Sequence, residues 1–158
     1  MNKKAQVQVQ APTQAPTQAA TQASFFNLHV EGVGYLNRIR MVKPQQGQEF
    51  LACTVSALRG NAESLGYTRF DCTVKGVEAQ KIVKLLEADV ADEKPVLIGF
   101  KVGDIYPELF TFEKGDKKGQ QGVSIKGRLL KIKFAKVNGV SVDLPQSVQS
   151  SEEERAAA

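Results

Sequence analysis

The sequence predicts a mainly β fold, a small five-stranded barrel with one helix, from three observations. Five stretches of the chain alternate apolar and polar residues, as half-buried strands do. One stretch, 77–89, repeats apolar residues every three or four positions, as an amphipathic helix does. Two of the long strand-like stretches change the parity of their apolar residues partway along, which is typical of strands that bend around a closed barrel.

Composition and charge divide the 158 residues into a central domain and two tails. Residues 1–24 are a low-complexity segment rich in Gln, Ala, Pro and Thr, which we expect to be disordered. We expect the folded domain to span residues 25–137 and a second disordered tail, acidic in character, to span 138–158. Residues 25–140 carry 18 basic and 13 acidic side chains, so the folded part is basic.

The first three strands come before the helix. The first is predicted to run from about residue 25 to Pro44, with a bulge or sharp bend at Gly32 and Gly34, where the apolar parity changes. The second strand follows the turn after Pro44 and is separated from the third by a loop over 59–66. The residues predicted to face inward are Leu51, Cys53, Val55 and Ala57 on the second strand and Phe70, Cys72 and Val74 on the third.

The helix and the last two strands complete the domain. The apolar face of the helix is predicted to consist of Ala79, Ile82, Val83 and Leu86. A long connection with aromatic and basic residues, the arm (106–118), joins the fourth strand to the fifth, whose parity changes at Leu129 and Leu130. The residues predicted to face inward are Val96, Ile98, Phe100 and Val102 on the fourth strand and Val123, Ile125, Ile132 and Phe134 on the fifth.

The order β-β-β-α-β-β is that of the OB-fold, a five-stranded barrel whose helix lies between the third and fourth strands. A split α+β sandwich could be built from the same elements. The two changes of parity favour the barrel, since closure requires strands to turn corners.

Few residues suggest catalysis or metal binding. Cys53 and Cys72 lie in apolar strand patterns without the spacing of a zinc or redox motif, so we expect buried thiols. His29 is the single histidine, and no phosphate-binding glycine loop is present. We therefore expect no enzymatic activity, no cofactor and no metal. With neither a secretory signal nor an apolar run of about 20 residues, we expect a cytoplasmic protein without membrane contact.

Several stretches occur in an order shared with a known family: NLHVEGVGYL, TRFDCTVKGVEAQKIVKLLE, PVLIGFKV and, after the arm, VSIKGRLLKI. Over about residues 27–134 the chain resembles the bacterial single-stranded DNA-binding proteins, most closely the divergent replication proteins of integrative conjugative elements. The resemblance implies single-stranded DNA binding by an oligomer, such as a dimer or tetramer, in replication or transfer of a mobile element. It also implies replication or conjugation proteins as partners of the tails, although SSEEERAAA lacks the family's aromatic tip and the chain has no tryptophan.

Sequence-tolerant binding of a single strand requires cations beside the phosphates and rings against the bases. The candidate cations on the strands are Arg38, Arg40, Lys126, Arg128, Lys131 and Lys133. The candidates in the arm are Tyr106, Phe110, Phe112, Lys114, Lys117 and Lys118. On the third strand, Tyr67 and Arg69 point outward beside the groove that an OB-fold uses. The cations could instead form a solvated surface, and the arm aromatics could pack against the arm or against another subunit.

Two functional hypotheses follow from these residues. The first is sequence-tolerant binding of single-stranded DNA, although the sequence does not distinguish DNA from RNA. The second is a structural or adaptor protein that oligomerises and binds protein partners through the arm between the fourth and fifth strands.

Overall fold

A computed structural model describes residues 26–145, which form six strands and one helix. In chain order these elements are β1 (His29–Val42), β2 (Phe50–Asn61), β3 (Ser64–Val74), α1 (Val77–Ala91), β4 (Val96–Thr111), β5 (Gln121–Val137) and β6 (Val140–Val142). The predicted order of three strands, a helix and two strands is confirmed, and a short sixth strand follows it.

Five of the strands close into a barrel. Neighbouring strands follow the order β3-β2-β1-β4-β5, and β5 then pairs with β3. This closing pairing is parallel and aligns Phe70–Val74 with Ile125–Leu129. The predicted fold class is therefore confirmed: the protein is mainly β, with an OB-like barrel and a helix between β3 and β4.

The barrel interior is filled by the faces that the sequence periodicity predicted. The predicted strand residues that are buried are Leu51, Cys53, Val55, Ala57, Phe70, Cys72, Val74, Val96, Ile98, Phe100, Val102 and Ile132. All four residues of the predicted helix face, Ala79, Ile82, Val83 and Leu86, join the same core. The rings of Phe70 and Phe100 lie 6.2 Å apart between centroids. Each large apolar side chain buried in this way stabilises the fold by about 1.5–3 kcal/mol.

Cys53 and Cys72 face each other across β2 and β3, and both are buried free thiols. Burial raises the pKa of Cys72 to about 12 and also raises the pKa of Cys53 above its usual range. Both side chains are therefore protonated and act as small apolar groups in the core.

The predicted bulge at Gly32 and Gly34 is wrong in position. The β1–β2 register shifts between Asn37 and Arg40, where Arg38 adopts a positive φ of 47°. Gly34 lies in regular pairing, and a Cβ built on it would come within 2.5 Å of the Ser56 carbonyl oxygen. Close approach of the two backbones, rather than a bulge, explains why a glycine occupies this position.

Two of the residues predicted to be core on β5 are exposed. Val123 lies on the part of β5 that pairs with Leu109 of the arm, beyond the barrel, and is 64% exposed. Phe134 is 39% exposed and its ring covers Gly99 on the outside of the barrel. The β4–β5 register shifts twice near the predicted change of parity, which returns Leu129 and Ile132 to the interior but turns Phe134 outward. Ile125, at the entrance to the barrel, is half-buried against the core.

The predicted loop over 59–66 is instead a tight hairpin. β2 continues to Asn61 and β3 begins at Ser64, so two residues form the turn. The side-chain oxygen of Asn61 accepts hydrogen bonds from the backbone N–H groups of Glu63 (3.1 Å) and Ser64 (2.7 Å). These two hydrogen bonds from the turn backbone to the Asn61 side chain stabilise the tight connection, which the polar composition of 59–66 had suggested was a longer loop.

The folded domain extends past its predicted end at residue 137. Asn138 and Gly139 have positive φ angles of 50° and 79°, as tight hairpins require, and β6 folds back onto Ala135–Val137. The expectation of disorder over 1–24 and 146–158 concerns residues outside the described part. Within residues 26–145, no helix has the length and apolarity needed to span a membrane.

Gly34→Ala is expected to destabilise the barrel by about 1–3 kcal/mol, because the added methyl group meets the β2 backbone, which cannot move aside. Urea denaturation followed by circular dichroism measures this change. Gly66→Ala is the matched control, since its Cβ would meet only the flexible end of Arg59. Equal stability of the two variants would contradict the assigned β1–β2 contact.

Candidate functional site

The outer surface of β1, β2 and β3 carries polar and aromatic side chains in cross-strand rows. One row consists of Tyr35, Ser56 and Arg69. The next row consists of Asn37, Thr54 and Asp71. The residues between them in sequence, such as Leu36 and Val55, are buried in the core, so these side chains point outward. We call this surface the outer face.

A groove of about 610 Å³, the tyrosine groove, lies at one end of the outer face. One wall contains Tyr35 and Tyr67, whose ring centroids lie 6.5 Å apart. The opposite wall is the connection from α1 to β4, including Glu93 and Pro95. Tyr67 is 48% exposed, so one large ring is available to a flat ligand.

Two arginines line the tyrosine groove, Arg38 from the β1 bulge and Arg69 from β3. Within residues 26–145 neither guanidinium forms an ion pair with a carboxylate. Tyr67 and Arg69 point outward from β3 beside this groove, as the sequence predicts, and Arg38, predicted only as a cation of the first strand, lies next to them. Together they offer a ring and two free cations to a ligand that is both flat and anionic.

Asp71 lies in the middle of the outer face and holds two of the predicted cations. One carboxylate oxygen accepts a hydrogen bond from Arg40 (2.7 Å) and the other accepts one from Lys126 (2.6 Å). Lys126 is also 3.3 Å from Glu108. We call these four residues the Asp71 cluster.

The contacts within the Asp71 cluster change the ionisation of its members. Burial alone would raise the pKa of Asp71, but the hydrogen bonds from Arg40 and Lys126 outweigh it, and the pKa is lowered. The pKa of Lys126 is raised, chiefly by its hydrogen bond to Asp71. Asp71 and Lys126 are therefore both charged at neutral pH.

A second hollow, of about 250 Å³, lies at the other end of the outer face and is lined by all four residues of the Asp71 cluster. Tyr106 lines it, is 54% exposed, and lies opposite Lys126 in the β4–β5 pairing. Phe50 and Thr73 form other parts of its wall. The outer face thus has an aromatic side chain at each end and an ionic cluster between them.

The four cations predicted on β5 do not form one row. Lys126 belongs to the Asp71 cluster, whereas Arg128 pairs with Asp104. Lys133 pairs with Glu31 of β1, away from the outer face. Lys131 forms no ion pair among the described residues. The β5 bulges send successive lysines in different directions, and carboxylates from other strands neutralise most of these charges.

Much of the arm is regular β structure. Pro107–Thr111 of β4 pair with Gln121–Ile125 of β5 and extend the two strands as a hairpin beyond β1; we call residues 104–124 the arm hairpin. Phe110 and Phe112 pack edge to face, with centroids 4.8 Å apart. A Cβ on Gly122 would lie 2.6 Å from Phe110 and 3.0 Å from Phe112, so both rings cover this glycine.

The tip of the arm contains the three predicted lysines, Lys114, Lys117 and Lys118, all exposed. Lys117 places its Nζ 5.7 Å from the centre of the Phe112 ring. Phe110 and Phe112 therefore pack against each other within the arm hairpin, which is one of the alternatives that the sequence left open. Tyr106, in contrast, lies at the barrel end of the arm beside Lys126.

The sequence analysis did not identify Tyr35 and Asn37 as residues of the outer face. It also did not predict that Asp71 holds two of the cations. Tyr35 and Asn37 share the parity opposite to the buried Leu36, which could have identified them as outward-facing. The bulge wrongly placed at Gly32 and Gly34 obscured this pattern. Nothing in the sequence pairs Asp71 with cations 31 and 55 residues away.

The comparisons with known proteins identify a family but no activity. The family model described as "Protein of unknown function (DUF3577)" matches residues 19–151. The chain belongs to the DUF3577 family. The match includes the whole described domain and the outer face. No curated protein and no solved structure matches the chain.

Residues 26–145 contain no group of three or more His, Cys, Asp and Glu side chains that could hold a metal ion. The chemistry that the described residues offer is that of aromatic rings and cations on an open surface. Such groups hold a ligand through stacking and charge.

Asp71→Asn is expected to lower the free energy of unfolding by about 1–2 kcal/mol at pH 7, since it removes two charge-assisted hydrogen bonds between partly buried groups. The folded-state pKa of Asp71 is lowered, so its contribution is complete above the unfolded value of about 3.9 and is lost as the pH falls through the folded value. Urea denaturation at pH 7 and pH 3 measures the difference, which should shrink at the lower pH.

Glu108→Gln serves as the control, because Glu108 is 51% exposed and makes one longer contact with Lys126. It should change stability by less than about 0.5 kcal/mol. An equal effect of the two substitutions would show that Asp71 does not organise the cluster.

Proposed function

We propose that the chain binds single-stranded DNA with little dependence on sequence, in the cytoplasm and in the replication or transfer of a mobile genetic element. The observation that carries the proposal is the outer face, where Tyr35 and Tyr67 at one end and Tyr106 at the other flank a line of cations. The resemblance of residues 27–134 to single-stranded DNA-binding proteins supports the biological setting.

The aromatic side chains fit the bases of a single strand. Tyr67 and Tyr106 are 48% and 54% exposed, which leaves a large part of each ring available for stacking. Stacking of one base on an aromatic side chain contributes about 1–3 kcal/mol, whichever base it is. In a duplex the bases are already stacked on each other, so rings placed in this way favour a single strand.

The cations fit the phosphates of the same strand. Arg69 and Asp71 lie two residues apart on β3, about 7 Å, so the free arginines of the tyrosine groove are close to the Asp71 cluster. Arg40 and Lys126 can exchange Asp71 for a phosphate. The lysines at the arm tip extend the positive charge beyond the barrel.

Titration with a 20-residue oligo-dT should quench the intrinsic tyrosine fluorescence, since all three tyrosines of the chain border the outer face and tryptophan is absent. Tyr67→Ala should weaken binding about 5- to 150-fold without loss of stability, because it removes one stacking ring that is half-exposed. Affinity should fall with salt, with a logarithmic slope of about 0.7 per phosphate contacted.

Phe134→Leu is the matched control, since it removes a ring that is 39% exposed but lies away from the outer face. It should leave the affinity unchanged. Absence of quenching and of binding at 50 mM salt and micromolar protein would overturn the proposal. Equal affinity for a duplex of the same length would overturn its single-strand character, and an RNA strand of that length tests the preference for DNA.

A second candidate function, assembly through the arm, is favoured by its exposed apolar surface. Leu109 and Val123 lie opposite each other on the arm hairpin and are 67% and 64% exposed. Within the described chain, β4 beyond Asp104 and β5 before Ile125 pair only with each other, so both edges of this part of the hairpin are open. Open edges and exposed apolar side chains are features of strands that pair with another chain. We propose that a homo-oligomer or a protein partner uses this surface.

Leu109→Glu combined with Val123→Glu is expected to convert an oligomer into monomers, because the two carboxylates would be buried unpaired in such an interface. Sedimentation equilibrium over a range of concentrations measures the mass. Leu85→Glu, at a helix position that is 52% exposed, is the control and should not change the mass. A wild-type protein that is monomeric at all concentrations would exclude self-assembly through the arm.

A further inference from the structure

Asn37 has a side-chain amide of fixed orientation at the edge of the tyrosine groove. Its Nδ2 donates hydrogen bonds to the Tyr35 carbonyl oxygen (3.0 Å) and to Ser56 Oγ (3.2 Å). Because a backbone carbonyl can only accept, the nitrogen must be on this side and the oxygen Oδ1 on the other. Both amide hydrogens are used within the protein.

The oxygen of the same amide is available to a ligand. Among residues 26–145 no group donates a hydrogen bond to Asn37 Oδ1. Asn37 is half-buried and lines the groove together with Tyr35, Tyr67 and Ser56. The neighbouring hydroxyl groups can rotate and therefore either donate or accept, whereas this oxygen can only accept. Among the uncharged polar side chains that line the groove, Asn37 is the one whose free atom has a fixed hydrogen-bonding character.

The groove has the dimensions and the walls of a site for one nucleobase. Its volume of about 610 Å³ is within the range of small-ligand sites. Tyr67 supplies a half-exposed ring, and Arg69 lies in the same row as Tyr35. The bulge that directs Arg38 into the groove forces this residue to a φ of 47°, which is strained for a side chain with a Cβ. Strain of this kind is concentrated at functional sites.

We propose that the tyrosine groove holds one base of the bound strand and that Asn37 Oδ1 accepts a hydrogen bond from the exocyclic amino group of that base. Cytosine, adenine and guanine present such an amino group, whereas thymine presents two carbonyl oxygens with a single ring N–H between them. The binding site therefore prefers an amino-bearing base at one position of an otherwise sequence-tolerant strand. This inference rests on the proposed function, and it adds a specificity-determining residue to it.

The test compares 20-residue oligomers of dC, dA and dT, and a dC oligomer whose bases are replaced by 2-pyrimidinone, which lacks only the 4-amino group. One neutral hydrogen bond is expected to change affinity about two- to tenfold. The wild-type protein should bind the 2-pyrimidinone oligomer about two- to tenfold more weakly than dC. Asn37→Ala should bind these two oligomers equally, and should lose affinity for dC and dA but not for dT.

Two further variants separate recognition from positioning. Tyr67→Ala should weaken binding of all the oligomers by a similar factor, since stacking tolerates any base. Ser56→Ala removes one of the two acceptors that hold the amide, and should reduce the dC to 2-pyrimidinone ratio while leaving Asn37 in place. The comparison of dC with 2-pyrimidinone uses the wild-type chain, so it decides the question even where a variant is unstable.

The outcomes distinguish this inference from the proposed function. Equal wild-type affinities for dC and 2-pyrimidinone, with clear binding of both, would overturn the role of Asn37 and leave single-strand binding standing. Equal losses for dC, dA and dT in Asn37→Ala would make Asn37 a positioning residue only, and would also overturn the inference. No binding of any oligomer by the wild-type protein would overturn both.

Discussion

The parallel pairing of β3 with β5 is the contact on which the rest of the domain depends. It closes the barrel, so that the apolar faces of five strands enclose one core with Phe70 and Phe100 near its centre. It also places Lys126 in register with Asp71. The parts of the chain before and after the helix meet at this pairing. The candidate site also includes residues from both sides, since Asp71 of β3 contacts Lys126 of β5.

The sequence predicts the fold well wherever the alternation of side chains is regular. The inward faces of β2, β3 and the barrel part of β4, and the buried face of α1, follow directly from periods of two and 3.6 residues. Prediction fails where the register shifts. A bulge at Arg38 and two in β5 reverse the facing of later residues, and Phe134 is turned outward as a result. The position of a bulge depends on the neighbouring strand, which the local sequence does not contain.

The sequence predicts which types of residue form the candidate site, but it does not predict how they are arranged. The alternation of side chains correctly turns Tyr67 and Arg69 outward on β3, whereas Tyr106, predicted only as a residue of the arm, borders the same surface in the structure. The carboxylate partners were not predictable, because Lys133 pairs with Glu31, 102 residues earlier, and Arg128 with Asp104 on the adjacent strand. A basic residue in sequence is therefore not always an unpaired cation in the structure. That Arg38 and Arg69 form no ion pair within residues 26–145 is known only from the fold.

Asp71 gives the outer face an internal counter-ion. A phosphate that binds Arg40 or Lys126 replaces a carboxylate held by the protein, whereas a phosphate that binds Arg69 displaces a mobile ion from solution. Ionic strength therefore acts on these two kinds of contact unequally. On the proposed function, Asp71 returns to Arg40 and Lys126 when a strand leaves, so that these two cations are not left unpaired. A surface of this kind would favour rapid movement of a strand along it over tight retention at one place.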